Sequence, residues 1–211
     1  ASDVYKRQVY ASKKISYESP ETTHYSVVDR WGNAVSVTTT INLGYGNGCV
    51  VEGAGFFLNN EMDDFSSKPG VPNAFGLIGN EANAVGPGKR PLSSMTPTIV
   101  LKDNKPFIVI GSPGGSTIIT TTMQTILNVV DHDMDIKEAV CASRFHSQWL
   151  PDVIQYEPRS LIEDLKKALE KKGHKLVQRG GYIGEANGIM ISEEGYFGGG
   201  DCRGETSAIG Y

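Results

Sequence analysis

The sequence predicts an α+β fold, built from antiparallel strands with the helices segregated from them. Three observations predict it. Strand-like runs rich in Val and Thr come first, amphipathic helical runs occupy the middle, and further strand-like runs close the chain. That order is not the strand–helix alternation of a doubly wound parallel sheet. At 211 residues and 22.8 kDa, the chain has room for one domain with a sizeable core.

The elements follow in order. Residues 1–21 are polar, mixed in charge and without a clean period, and read as a tail or an assembly scar outside the fold. The folded region, residues 22–211, begins at Thr22. Residues 24–29 form a β run, Arg30-Trp31-Gly32 is a turn, and residues 33–41 alternate with many Val and Thr. Together these make a hairpin. Residues 42–54 are Gly-rich, and Phe56-Phe57-Leu58 is a short apolar piece. A polar loop then runs from residue 59 to about residue 91, a length uncommon unless functional. Residues 98–101 and 106–110 form a second hairpin turned at Asp103-Asn104. Residues 116–130 are the clearest helix, with Ile118, Ile119, Met123, Ile126, Leu127 and Val130 on one apolar face. Shorter helices are predicted over 136–142 and 160–172. The second carries Leu161, Leu165 and Leu169 on one side and stops at Gly173. Residues 175–178 and 188–192 are closing strands.

Composition excludes several function classes. Twenty basic against 24 acidic residues give a net charge of -4 and a pI near 5.6, so a broad basic nucleic-acid surface is excluded. No uninterrupted apolar stretch of about 18 residues is present, so no membrane span is expected. No apolar run opens the sequence as a secretory signal would. Cys49, Cys141 and Cys202 are widely spaced and odd in number, so ordinary or free thiols are expected rather than a disulfide framework. His24, His132, His146 and His174 show no metal spacing and are assigned to surface or packing; no metal site is expected. No Gly-x-Ser-x-Gly elbow supports a serine-hydrolase triad.

Four places can carry chemistry. Thr is a poor nucleophile unless a base takes its proton, and an N-terminal Thr has its own α-amine for that purpose. Thr22 qualifies if the Glu21–Thr22 bond is cut. The hairpin adds to this: pairing Asp29 with Asn33 across the turn places Thr22 opposite Thr40, a second hydroxyl within side-chain reach. A plain Thr–Thr cross-strand pair is the other reading. Gly111-Ser112-Pro113-Gly114-Gly115-Ser116 joins a strand to the best helix. Such a turn presents backbone N–H groups to an anion or an oxyanion, or is simply a tight structural turn. The P-loop Lys is missing. Ser93 and Ser94 are adjacent hydroxyls that can donate to a carboxylate, or mere loop polarity. Glu61, Asp63 and Asp64 can grip an ammonium group or a metal, though EF-hand spacing is absent; Asx turns are the alternative.

Taken together, five motifs are similar to those of one family. They are Thr22-Thr23-His24-Tyr25-Ser26-Val27-Val28-Asp29 with Gly32-Asn33, then Leu58-Asn59-Asn60-Glu61-Met62-Asp63-Asp64-Phe65, then Lys89-Arg90-Pro91-Leu92-Ser93-Ser94-Met95. Gly111 to Ser116 and Arg144-Phe145-His146-Ser147-Gln148-Trp149-Leu150-Pro151-Asp152 complete the set. In this order, from Thr22 to the end, the chain resembles the small subunit of γ-glutamyltransferase, an N-terminal-nucleophile hydrolase.

The resemblance implies an αββα sandwich, of which this chain is the small-subunit portion. It implies a precursor that cuts itself between Glu21 and Thr22 and a large subunit as partner; residues 1–21 would then be a large-subunit remnant. Thr22 is the implied nucleophile, Thr40 its hydroxyl partner, and Gly114 and Gly115 the oxyanion hole. Ser93 and Ser94 would hold the substrate α-carboxylate, and Asn42, Glu61 and Asp64 would surround its α-ammonium. The implied substrates are glutathione and other γ-glutamyl compounds, with water or an amino acid or peptide amine as acceptor. No cofactor is implied. The implied location is periplasmic or extracellular. The large subunit would supply an Arg for the α-carboxylate, so this chain alone is expected to be inactive. Residues 69–80 resemble the lid of some members, where a Tyr often latches; Phe75 lacks that hydroxyl, which implies a looser lid. Asp201-Cys202-Arg203 stands where Asp-Pro-Arg is common. Relatives that cleave poly-γ-glutamate or cephalosporin side chains, and a non-catalytic anion-binding module, are the alternatives.

Overall fold

Strands β1 (Thr23–Val28) and β2 (Ala34–Thr39) pair antiparallel at the start of the computed structural model, which describes residues 22–210. Residues 1–21, with Glu21 and the Glu21–Thr22 bond, lie outside the described residues, as does Tyr211. The turn between the strands is closed by one side chain. Asp29 Oδ1 accepts the N–H groups of Trp31 and Asn33, each at 2.9 Å, and Oδ2 accepts Asn33 Nδ2 at 2.7 Å. Pairing then runs from Val28 opposite Ala34 to Thr23 opposite Thr39.

A long excursion follows, in which Glu61–Asp64 and Glu81–Asn83 form short 3-10 turns. Next come β3 (Thr98–Lys102) and β4 (Lys105–Gly111). Asp103 and Asn104 both adopt positive φ, 51° and 60°, as a two-residue hairpin turn requires. The 3-10 turn Gly115–Thr117 leads into α1 (Ile118–Val130), followed by α2 (Ile136–Cys141). Asp135 caps α2 in a capping box with Glu138. Then come β5 (Phe145–His146), β6 (Ile154–Tyr156), α3 (Glu163–Lys171), β7 (Leu176–Gln178), β8 (Asn187–Ser192) and β9 (Gly195–Gly200).

The four-stranded sheet, in the order β3-β4-β8-β9, is antiparallel throughout. Side chains alternate across it. Ile108 and Ile110 face α1 and α2 and build the main core with Val129, Ile136, Ala139, Val140 and Ala186. The opposite face carries β1 and β2. The described residues therefore form three layers: helices, a sheet, and a second two-stranded sheet. The α+β expectation holds. Purely antiparallel pairing does not: in the smaller sheet β5-β6-β7, strands β6 and β7 are parallel. Strands β5, β6 and β9 were not legible in the sequence, the first two because they are short and β9 because four of its six residues are glycine.

Two faces run against ordinary patterning. Between the sheets lie short polar side chains: Ser26 Oγ donates to the Val109 carbonyl at 3.2 Å and Ser36 Oγ to the Ile110 carbonyl at 3.0 Å. Tyr25, Val27 and Val35 point outward, each about half exposed. Helix α1 behaves likewise. It buries Ile118, Thr121, Thr122, Thr125 and Val129, while Ile119, Met123, Leu127 and Val130 are exposed. The apolar stripe that identifies the helix is thus mostly its outer face. The inner face is threonine because the sheet-side backbone comes close: a Cβ on Gly184 would lie 2.6 Å from Thr121 Oγ1.

Behind α2 sits a buried charge cluster. Arg144 Nη2 meets Asp201 Oδ2 at 2.6 Å, and Arg203 meets Glu157 Oε2 at 2.7 Å and Asp201 Oδ1 at 2.9 Å. Two positive and two negative groups balance, and backbone donors Ile183 N–H and Ala186 N–H fill further carboxylate oxygens. Such a cluster is tolerable because each charge is paired and hydrogen-bonded. The expectation of free thiols is corrected at this point: Cys141 and Cys202 form a disulfide, their Cα atoms 5.3 Å apart. The cysteines are 61 residues apart, and only the packing of α2 against the end of β9 brings them together. Cys49 is the free cysteine, and it is exposed.

Replacing both Cys141 and Cys202 by Ser is expected to lower the stability of the full-length protein by about 2–4 kcal/mol. Thermal unfolding with and without reductant measures this; identical melting of wild type and variant would overturn it.

Candidate active site

Thr22, just before β1, is 8% exposed. Its hydroxyl donates to Thr40 Oγ1 at 3.1 Å. These residues are the next pair beyond Thr23 and Thr39, so the register read from the sequence is the one observed. Thr40 Oγ1 also accepts the Asn42 N–H at 2.9 Å. Asn42 is buried with φ 77°, a left-handed conformation that Asn tolerates better than most side chains. Its Nδ2 donates to the Asn60 carbonyl at 3.2 Å, which leaves Oδ1 as its acceptor end. Asn60 binds back: its Oδ1 accepts Leu43 N–H at 3.1 Å and its own N–H donates to the Ile41 carbonyl.

That chain of contacts leads from Thr22 to the acidic turn Glu61–Asp64. Glu61 Oε1 is buried and has no hydrogen-bond partner among the described residues. Burial first, and the Asp64 charge second, push the Glu61 carboxyl above its usual range. Burial first, and Asp63 second, do the same to Asp64. Carboxylates crowded this way are stabilised in charged form by an arriving cation. Asp63 instead braces the neighbouring loop, its Oδ2 accepting the Ala74 N–H at 3.1 Å. Asn73 Oδ1 accepts the N–H groups of Phe75 and Leu77 at 3.0 and 2.9 Å. The turn carrying Phe75 is therefore hooked to the acidic turn.

Ser93 Oγ accepts the Met95 N–H at 3.2 Å, so its own proton is left to donate. Ser94 is half-buried beside it. Between Asp64 and these serines stands Asn83, whose Nδ2 donates to the Asp64 carbonyl at 2.7 Å and whose Oδ1 accepts the Leu92 N–H at 3.0 Å.

The Gly-rich turn shares a cleft with Thr22 through Pro113. Gly114 and Gly115 have φ 133° and 55°, and a Cβ on Gly114 would sit 2.7 Å from Thr117 Oγ1. The Gly114 carbonyl accepts Thr117 N–H and Oγ1–H at 3.1 and 2.8 Å. The Gly115 N–H is antiparallel to that carbonyl across a trans peptide, so it points away from the helix start, at the positive end of α1. Buried Ser112 donates to the Pro113 carbonyl and accepts the Glu185 N–H at 2.9 Å.

His24 joins the two halves. It lies two residues beyond Thr22, 6% exposed. A Cβ on Gly111, where the Gly-rich turn begins, would overlap its ring. Ser26 spends its proton on Val109 O, so it accepts from His24 Nε2–H at 3.1 Å; Nδ1 then accepts from the Thr38 hydroxyl at 2.8 Å. The ring is neutral, and burial holds its pKa down at about 4.

Thr22, His24, Pro113 and Glu185 line one cleft of about 800 Å³. Of the described residues assigned to the site from the sequence, Thr22 alone lines it; Thr40, Asn42, Glu61, Asp64, Phe75, Ser93, Ser94, Gly114 and Gly115 do not, and Thr40, Asn42 and Asn60 link Thr22 to the acidic turn. Sequence reasoning missed Asn60, Asn73 and Asn83 as organisers and assigned His24 to surface or packing. Their single signal was Asn density in a long loop. Among the described residues no cluster of His, Cys, Asp and Glu is placed to hold a metal ion, and no helix is long and apolar enough to cross a membrane.

A family model described as gamma-glutamyltranspeptidase matches residues 1–211. The chain belongs to the γ-glutamyltranspeptidase family. It is 52% identical over 188 residues to the glutathione hydrolase proenzyme of Escherichia coli, covering 89% of this chain and 32% of that protein. With the glutathione hydrolase proenzyme of a Pseudomonas species it shares 49% identity over 205 residues, 92% of this chain and 36% of that protein. A crystal structure of a Helicobacter pylori gamma-glutamyltranspeptidase mutant superposes with a TM-score of 0.82 at 56% identity, covering 86% of this chain and 100% of that one. The chain spans about a third of the length of these curated relatives. Other γ-glutamyltranspeptidase structures cover it equally well.

The neutral His24 generates a pH dependence in this γ-glutamyltranspeptidase chain. Its folded pKa, about 4, lies below the usual 6.5, so between those values the unfolded state binds more protons. Stability is then full above pH 6.5 and is lost as pH falls toward 4. Denaturant unfolding of the full-length protein at pH 7 and pH 5 is expected to show that loss, and to show less of it in His24→Gln. Equal losses in the two proteins would refute it.

Proposed function

We propose that the protein containing this chain cleaves the γ-glutamyl amide bond of glutathione and related compounds through a γ-glutamyl ester on Thr22. The observation that carries this reading is the 3.1 Å bond from the Thr22 hydroxyl to Thr40 Oγ1, with Thr22 and Pro113 of the Gly-rich turn on one cleft. The reading requires scission of the Glu21–Thr22 bond, which frees the Thr22 α-amine to act as base. Thr22 Oγ attacks the γ-carbonyl while the amine takes its proton. The Gly114 and Gly115 N–H groups receive the oxyanion, which exists only near the transition state. The amine returns the proton to the departing amine, and an ester remains on Thr22. Water then releases glutamate, or an amino acid or peptide amine takes the γ-glutamyl group. Ser93 and Ser94 hold the α-carboxylate, with Asn42, Glu61 and Asp64 around the α-ammonium. Relief of the crowded Glu61–Asp64 charge favours that cation.

The same reading assigns a large subunit as partner, cut from one precursor. The outward apolar residues of β1 and β2 support it, since a fourth layer would cover them. The large subunit would complete the α-carboxylate site, and this portion alone would be inactive. The Cys141–Cys202 disulfide supports a periplasmic or extracellular location, where such bonds persist.

Two outcomes test the reading. Intact-mass analysis of the precursor is expected to give a product beginning at Thr22, and Thr22→Ala to leave it uncut and at least about a thousandfold less active. A folded wild-type precursor that stays whole would end the proposal. Phe75→Tyr adds a hydroxyl to the loop hooked to Asp63 and is expected to shift turnover from hydrolysis toward transfer; an unchanged ratio would exclude Phe75 as a lid determinant.

A further inference from the structure

The geometry points to Asn83 as a positioning residue that sets the separation between the two halves of the α-amino acid subsite. This inference rests on the function proposed above. An α-carboxylate and an α-ammonium share one carbon, so they present opposite charges at a fixed spacing. The groups assigned to them lie on different segments: Asp64 on the acidic turn, Ser93 and Ser94 some thirty residues further along the loop. Asn83 ties those segments together. Its Nδ2 donates to the Asp64 carbonyl at 2.7 Å, and its Oδ1 accepts the N–H of Leu92, which precedes Ser93, at 3.0 Å. One neighbour is an acceptor and the other a donor, so only this amide orientation satisfies both.

Asn83 is itself held. It ends the 3-10 turn Glu81–Asn83, whose N-cap Asn80 accepts Ala82 N–H at 3.0 Å. Its carbonyl accepts Ser66 N–H at 2.9 Å, and Lys89 Nζ donates to the carbonyls of Ala82 and Ala84 on either side. A rigid planar amide, braced from behind, thus spans the acidic turn and the serine segment. An Asp at this position keeps the acceptor for Leu92 but sets a carboxylate oxygen against the Asp64 carbonyl. Asn83→Asp therefore breaks one end of the clamp and Asn83→Ala breaks both.

The test uses the full-length enzyme with L-γ-glutamyl-p-nitroanilide. Asn83 touches no reacting atom, so its loss weakens ground and transition states alike and appears in KM. Each variant is expected to raise KM about tenfold, from one or two lost hydrogen bonds, with kcat changed less than about threefold. Self-cleavage before Thr22 engages no α-amino acid head and is expected to proceed at the wild-type rate. Wild-type KM in both variants overturns the inference, and so does slowed self-cleavage or a kcat loss matching the KM change, either of which marks a general structural role. A wild-type enzyme without turnover is a separate result, since it defeats the functional reading itself.

Discussion

The Asp29 carboxylate closes the β1–β2 turn with three hydrogen bonds, and the placement of every site residue on the hairpin follows from it. The Asn33 side chain, foremost among these donors, holds the Asp29 carboxyl below its usual range and so keeps it charged. Side chains on a strand alternate, so a slip of one residue would turn each to the opposite face. Thr22 would then lose Thr40, and His24 would leave its seat against Gly111. The turn is at the far end of the hairpin from Thr22. It acts on the chemistry only by fixing how the strands count against each other.

The second constraint is the closeness of the two sheets at Gly111. Short hydroxyl side chains and one neutral imidazole fill the gap, and each finds a partner across or along the strands. Polar groups belong there because their hydrogen bonds are complete, which offsets the cost of removing them from water. The apolar side chains of the same strands are turned outward in consequence. Helix α1 shows the same inversion, with threonines inward and Ile119, Met123 and Leu127 outward. The outward face of β1 and β2 reads as a surface built to meet another layer.

Much of this was legible in the sequence. The two hairpins were, because period-two patterning and turn residues are local signals, and the register followed by counting from Asp29 and Asn33. The helix over residues 118–130 was legible as a helix, yet its direction was not. An apolar stripe tells which residues share a face but not whether that face meets this chain or another. The disulfide was hidden because Cys141 and Cys202 meet only after α2 packs against the β9 end. The candidate residues Thr22, Thr40, Gly114 and Gly115 carry their chemistry in their own side chains or backbone. Asn60 and Asn83 do not: they act by joining segments far apart in sequence, and an Asn in a loop looks the same whether it caps its own turn or a distant one.

The Cys141–Cys202 link also divides the chain in a mechanical sense. It makes a covalent ring of everything from the end of α2 to the end of β9, and the paired Arg144, Glu157, Asp201 and Arg203 lie within or just beside that ring. While the bond is intact, the end of α2 and the end of β9 cannot separate, whatever opens between them. Just past it, the Thr206 hydroxyl is tied back to the ring at the Asp201 carbonyl. Ser207 to Gly210 run on along the wall of the Thr22 cleft, so one wall of the cleft is a short strap fastened to a closed loop. Amide exchange should therefore be faster in the strap than in strands β8 and β9, against which the ring holds it.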